Sequence, residues 1–156
     1  MAYVGATSPP GSSPPGCVFC TALTGSDDVA AQVLIRGPYA FLILNKYPYA
    51  PGHLMAALNR HVGRLQDAGP EELADAMRLV GLATTALGKE YQAEGFNVGF
   101  NQGRVAGAGI ADHLHVHVVP RWNGDHNFAS VLADTRVIPE SLEVTFARLS
   151  PYFATG

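Results

Sequence analysis

No apolar run in this chain of 156 residues approaches the roughly 20 needed to span a bilayer, which excludes a membrane-spanning helix. The opening Met1-Ala2-Tyr3-Val4-Gly5-Ala6-Thr7 lacks a basic region followed by an apolar stretch, so no secretory signal is expected and the cytoplasm is the default compartment. Basic charge is short as well: 10 lysines and arginines face 13 acidic residues, for a net charge of −3 with histidines neutral. That balance excludes the electrostatic drive toward nucleic acid or an anionic membrane. Any phosphate on a ligand would have to be held locally, by histidines, backbone N–H groups and one or two arginines. Only two cysteines are present, and in a reducing compartment they argue against a structural disulfide. No GxxxxGK[ST] occurs, which excludes a P-loop nucleotide site. There is no internal repeat.

What the chain does have is a globular composition, 47% hydrophobic and 15% charged, at a length that suits one domain. Residues 5–16, Gly-Ala-Thr-Ser-Pro-Pro-Gly-Ser-Ser-Pro-Pro-Gly, cannot bury apolar surface. Residues 1–16 are therefore expected as a disordered tail and 17–156 as a single domain. Residues 32–36 and 40–45 read as strands around the turn pair Gly37-Pro38, and 53–58 as a third. A long helix is expected from Pro70, with Glu71 and Glu72 at the positive end of its dipole and Gly95 as its stop. Its apolar stripe would be Leu73, Met77, Val80, Leu87 and Tyr91, interrupted by Thr84. Residues 96–101 and 113–120 complete the strands, and 139–149 form a short terminal helix. Strands on both sides of one long helix, without regular alternation, predict an α+β fold with a mainly antiparallel sheet.

The most informative run is Asp112-His113-Leu114-His115-Val116-His117-Val118-Val119-Pro120. In a strand successive side chains alternate between faces, so the three imidazoles share one face while Leu114, Val116 and Val118 enter a core. The bland alternative is an edge strand whose polar face happens to hold histidine. With six histidines in 156 residues, three in register make a site the better reading.

Three further stretches carry chemistry. Cys17-Val18-Phe19-Cys20 offers two corners of a tetrahedral zinc site, with His61 and one histidine of the trio as candidate partners. The competing readings are two small buried side chains at a helix start, or a redox pair, although no βαβ pattern surrounds them. In Asn45-Lys46-Tyr47-Pro48-Tyr49-Ala50-Pro51-Gly52-His53, Asn45 ends a strand where an amide could hold a sugar hydroxyl, and His53 follows a sharp turn. In Asn97-Val98-Gly99-Phe100-Asn101-Gln102-Gly103-Arg104-Val105-Ala106-Gly107-Ala108-Gly109, amides at a strand end precede a glycine-rich loop whose N–H groups could approach an anion. Alone, that loop reads as an ordinary turn.

Together these stretches resemble the histidine triad family of nucleotide hydrolases and transferases, whose His-φ-His-φ-His-φ-φ signature is met by residues 113–119. The resemblance runs from Cys17 to the terminal helix. Asn-Lys-Tyr-Pro-Tyr-Ala-Pro-Gly-His, Gly-Ala-Gly-Ile-Ala-Asp-His-Leu-His-Val-His-Val-Val-Pro-Arg-Trp and the following Asn-Gly-Asp-His-Asn-Phe are similar to a bacterial branch of diadenosine tetraphosphate phosphorylases. It implies His115 as the nucleophile on an α-phosphate and His117 and His53 as donors to phosphate oxygens. Asn45 would hold the ribose, with apolar residues of the 40–45 strand lining the base pocket, and Gln102 would contact the phosphate or the leaving side. It also implies a structural zinc on Cys17, Cys20, His61 and His113, no organic cofactor, and a homodimer packed through the long helix and a sheet edge. Many hydrolase and phosphoramidase members place Gln-Ser or Gln-Thr where this chain has Gly109 and Ile110. Backbone amides of residues 107–109 would then serve in place of a side chain, with Gly107 and Gly109 as substrate contacts.

The expected reaction is transfer of a nucleotidyl group to His115 and then to phosphate or water. A carbonyl on the 103–107 loop is expected to fix the tautomer of the nucleophile. The rival readings are a phosphoramidase or general hydrolase, a non-catalytic nucleotide-binding module, and a catalytic metal held by all three histidines of the trio.

Overall fold

The computed structural model describes residues 16–125 and 140–154. All but the last residue of the expected tail, the His126-Asn127-Phe128 part of the motif after the trio, and Pro139 lie outside the described residues. The elements run α1 (Val18–Thr24), α2 (Asp28–Ala31), β1 (Val33–Arg36), β2 (Ala40–Leu44), β3 (Leu54–Leu58), α3 (Pro70–Glu90), β4 (Gly95–Gly99), β5 (His115–Arg121) and α4 (Leu142–Leu149). The strands form one five-stranded sheet in the order β1-β2-β3-β5-β4, and every pairing is antiparallel. The α+β architecture expected from the sequence is the one found. No described helix is long and apolar enough to cross a membrane.

Alternation in β2, β3 and β5 gives the sheet two dissimilar faces. Leu42, Leu44, Leu54, Ala56, Leu58, Leu114 and Val118 face the larger core, which α3 covers. Phe41, Ile43, Met55 and Ala57 face the other way, into a smaller cluster with Cys17, Phe19 and Cys20 of the N-terminal segment. β5 is an interior strand between β3 and β4. The reading of the histidine run as an edge strand is therefore excluded.

The long helix begins where expected. Pro70 occupies the first turn, and Glu72 reaches back to accept the Gly69 N–H at 2.7 Å. Its buried face differs from the expected stripe: Ala76, Leu79, Val80, Ala83, Ala86 and Leu87 meet the sheet, whereas Met77 is exposed. Alanines let the helix backbone lie close on the sheet, and a pattern drawn from large residues alone overlooks them. The helix also stops before Gly95, at Glu90, with Gln92 in left-handed backbone (φ 52°). The Tyr91 carbonyl then accepts from Trp122 Nε1 at 3.0 Å and the Glu94 N–H donates to the Arg121 carbonyl at 2.9 Å. These bonds turn the chain into β4, and Gly95 becomes a strand residue opposite Arg121.

At the far end, Arg148 of α4 bridges Glu90 and Glu140 at 2.8 and 2.6 Å and lies over the Tyr91 ring. This clamp fastens the terminal helix to the end of α3. Ser141 caps that helix by accepting from the Val144 N–H.

Candidate active site

β5 begins at His115, two residues later than expected, and His113 stands just ahead of it. The backbone is still tied to the sheet there, because the Leu58 N–H donates to the Leu114 carbonyl at 3.2 Å and the Leu114 N–H to the Val62 carbonyl at 2.6 Å. In register, His115 lies beside Ala57 and His117 between Met55 and Gly99. Both rings therefore rise from the face of the smaller cluster, as the alternation predicted, and their centroids are 4.9 Å apart. A Cβ built on Gly99 would meet nothing within 4 Å, so open space adjoins His117.

Hydrogen bonds assign a proton to each ring, since a neutral imidazole has one donor and one acceptor nitrogen. His115 Nδ1 lies 2.7 Å from the His113 carbonyl. The proton is on Nδ1, and the lone pair is on Nε2. The acceptor is thus the backbone of the neighbouring histidine, not a carbonyl of the 103–107 loop as expected. His53 Nδ1 accepts the Tyr49 N–H at 3.0 Å, which puts its proton on Nε2, 2.9 Å from His117 Nδ1. His117 then carries its proton on Nε2. Burial pushes the His115 pKa below its ordinary 6.5 and that of His117 down to about 4, the nearby His115 adding to the latter. Both rings are held neutral near pH 7.

His113 points to a different group. Its Nε2 donates to the Leu58 carbonyl at 2.7 Å, so Nδ1 is the lone-pair nitrogen. Nδ1 lies 3.4 Å from Cys17 Sγ, 3.6 Å from Cys20 Sγ and 3.2 Å from His61 Nδ1, and His61 Nδ1 is 3.3 Å from Cys20 Sγ. The four donor atoms lie within 4.8 Å of one another. A tetrahedral ion with bonds of about 2.0–2.1 Å to nitrogen and about 2.3 Å to sulfur needs edges of roughly 3.3–3.8 Å. The quartet fits such an ion. Donating its proton to Leu58 already dedicates His113 Nδ1 to ligation, the outer-shell arrangement usual for a metal-bound imidazole. A single metal on all three histidines of the trio does not fit, because His113 turns its lone-pair Nδ1 to the cysteines and His61 and commits Nε2 to the Leu58 carbonyl.

Of the expected substrate contacts, Asn45 lies beside the His53 ring, whereas Gln102 and Gly107 bond to other partners and Gly109 borders the cavity at Cys17 and His61. Asn45 Nδ2 lies 3.3 Å from His53 Nε2, while its Oδ1 accepts the Tyr47 N–H at 2.8 Å. Gln102 is exposed, with Oε1 accepting the Leu65 N–H at 2.7 Å and Nε2 donating to Gln66. Gly107 ends a short helical turn with φ 87°, its carbonyl 3.4 Å from Asn101 Nδ2. Gly109 lines a cavity of about 570 Å³ together with Cys17, His61 and Asp112.

Two participants went unassigned in the sequence. Phe19, fully buried between the two cysteines, packs on both His113 and His115 at centroid distances of 5.1 and 4.8 Å. Tyr49 lies against His53 at 4.7 Å and stacks toward His117. Phe19 lies within the Cys17–Cys20 motif and Tyr49 within Asn45–His53, each as a spacer between more conspicuous residues.

The family model of the HIT domain matches residues 26–124 of the chain. Over 146 residues the chain is 40% identical to the AP-4-A phosphorylase of Mycobacterium tuberculosis (strain ATCC 25618 / H37Rv), spanning 94% of this chain and 74% of that protein. It is 30% identical over 128 residues to the asymmetrical bis(5'-nucleosyl)-tetraphosphatase of Schizosaccharomyces pombe, spanning 82% of this chain and 66% of that one. Among solved structures, a Zn-bound histidine triad family protein from Mycobacterium smegmatis matches with a TM-score of 0.72 at 26% identity, over 89% of this chain and 94% of the other.

Proposed function

The chain belongs to the histidine triad (HIT) family, and from that premise we propose that it cleaves dinucleoside polyphosphates at an α-phosphate, with His115 as nucleophile and inorganic phosphate as acceptor. The observation that carries this reading is the 2.7 Å contact of His115 Nδ1 with the His113 carbonyl, which dedicates Nε2 to attack. In the reaction Nε2 bonds to the α-phosphorus as the bond from that phosphorus to the bridging oxygen breaks. From diadenosine tetraphosphate, ATP leaves and an adenylyl group stays on the ring. Phosphate then attacks the same phosphorus, the N–P bond breaks, and ADP departs.

His117 Nε2–H is the donor to a non-bridging oxygen, where charge is held through both transfers. His53 supports it by donating to Nδ1. Asn45 Nδ2 and His53 Nε2 are two donors face to face at 3.3 Å. The His53 proton is already given to His117 Nδ1, so the Asn45 amide is the donor left to meet a sugar hydroxyl, which supports Asn45 as the ribose contact. Gln102, Gly107 and Gly109 are assigned to the leaving side, Gln102 by turning its Nε2–H from Gln66 to a phosphate oxygen. The 40% identity to a phosphorylase supports phosphate over water as acceptor.

Zinc is the proposed occupant of the Cys17, Cys20, His61 and His113 quartet, supported by the thiolate–imidazole donor set and by the Zn-bound relative. Four protein ligands leave no open position, so its contribution is structural. No organic cofactor and no nucleic-acid partner enter the scheme, and the proposed compartment is the cytoplasm. A homodimer through α3 and β4 is supported by the position of β4 at the sheet edge and by exposed Val98 and Met77.

The test is incubation with diadenosine tetraphosphate, with and without inorganic phosphate. ADP and ATP formed only with phosphate support the reading. AMP and ATP formed regardless of phosphate make the chain a hydrolase, and turnover confined to a nucleoside phosphoramidate makes it a phosphoramidase.

A further inference from the structure

We propose that the metal centre positions the nucleophile: a bound ion fixes His113 and the Cys17–Cys20 turn, and these hold the His115 ring in the orientation and tautomer that expose Nε2. The proposal rests on the assignment of His115 as nucleophile.

One residue makes both connections. The His113 imidazole presents Nδ1 to the cysteines and His61, while its carbonyl accepts from His115 Nδ1. A shift of His113 when ligands are lost therefore moves the atom that sets the tautomer of its neighbour. The second connection is Phe19, fully buried against both rings. Phe19 belongs to α1, which has only seven residues and is too short to persist by its own hydrogen bonds. The two ends of α1 are secured differently. Arg36 donates to the Ala22, Leu23 and Gly25 carbonyls at its C-terminal end. Its N-terminal end carries Cys17, Phe19 and Cys20, and the thiolates are the groups there that a metal would tie to the triad strand.

The cavity of about 570 Å³ is lined by Cys17, His61, Arg104, Gly109, Ala111 and Asp112. It gives a small chelator a route to two of the ligands. Metal occupancy thus becomes a control on the alignment of the nucleophile as well as a contribution to stability.

The experiment compares ¹⁵N-histidine-labelled protein loaded with Zn²⁺, stripped by a chelator, and reloaded. Long-range ¹H–¹⁵N correlations read the tautomer of each ring. The expected result is a single Nδ1–H tautomer for His115 in the loaded protein, averaged His115 signals in the stripped protein with the amides of α3 unmoved, and recovery on reloading. In parallel kcat should fall at least about tenfold on stripping while KM stays within about twofold, as misalignment of a reacting group predicts. A His115 tautomer that is the same with and without zinc overturns the proposal. If stripping unfolds α3, Phe19→Leu in the zinc-loaded protein decides: wild-type metal content with shifted His115 signals and a several-fold lower kcat supports the coupling, and unchanged signals and kcat refute it. The NMR readout needs no substrate. A chain that leaves dinucleotides intact while its His115 signals follow zinc would sink the proposed reaction and leave this coupling standing.

Discussion

Nε2 of His53 lies 2.9 Å from Nδ1 of His117, joining the turn after β2 to the interior strand β5. The Tyr49 N–H fixes the proton of His53, and His53 in turn fixes that of His117. The two rings act as one unit, so their contributions to catalysis should not multiply. His53→Ala and His117→Ala are each expected to lower kcat by about 10²-fold, a usual magnitude for a positioned proton donor. The double variant should be little worse than either alone. Rate losses that multiply would show that the two rings work separately.

The proposed role of His115 as nucleophile admits a sharper test. His115→Ala is expected to remove at least about 10³ of the rate, as the loss of a covalent partner should. Acid-quenched wild-type protein mixed with diadenosine tetraphosphate should carry one adenylyl group by mass spectrometry, and His115→Ala none. An adduct retained in the variant would place the attack elsewhere.

Some of this centre could be read from the sequence, and the reasons differ by residue. A strand repeats every two residues, so the alternation of His113, His115 and His117 with Leu114, Val116 and Val118 identified the face correctly. The Cys17–Cys20 spacing offered two corners with His61 and one histidine of the trio, and the family resemblance pointed to His113 as the fourth; the fold brings these four together. The acceptor of the His115 proton could not be read this way, because a backbone carbonyl has no residue type to mark it. Phe19 looked like a spacer because ring-on-ring contact depends on how α1 lies across the sheet. In α3, Ala76, Ala83 and Ala86 share the buried face with Leu79, Val80 and Leu87, so a stripe drawn from large residues alone missed the alanines and wrongly took in Met77.

Acid sensitivity follows from burial of the same rings. The proposed attack requires unprotonated His115, and burial lowers its pKa below 6.5, so more acid is needed to disable it than for a free imidazole. The acid-side bend in the plot of log kcat/KM against pH should lie below 6.5. Stability should show the same sign. His117 is about 4 when folded against an ordinary 6.5, so the folded chain binds fewer protons between those values. Its contribution is present above 6.5 and is lost as pH falls through about 4. An activity inflection at or above 6.5 would contradict the assigned environment of the nucleophile.

Gly52 tests whether the turn before β3 sets the position of His53. Its backbone is left-handed, with φ 80°, and a Cβ there would stand 2.6 Å from Leu87 Cδ2. Leu87 is fully buried under the sheet, so it cannot swing aside at little cost. Gly52→Ala combines left-handed strain with overpacking and should destabilise the fold by about 1–3 kcal/mol. Gly88 provides the contrast, since a Cβ there, within α3, meets nothing within 4 Å. Gly88→Ala should stabilise by about 0.5–1 kcal/mol through helix propensity. The turn also closes through the His53 N–H to the Ala50 carbonyl at 3.1 Å, so a displaced residue 52 carries His53 with it. Gly52→Ala is therefore expected to lower kcat as well as the unfolding midpoint, and to move the ring signals of His53 and His117 together. A variant that loses stability while keeping wild-type kcat and unshifted ring signals would show that the turn packs the core without aligning the two histidines.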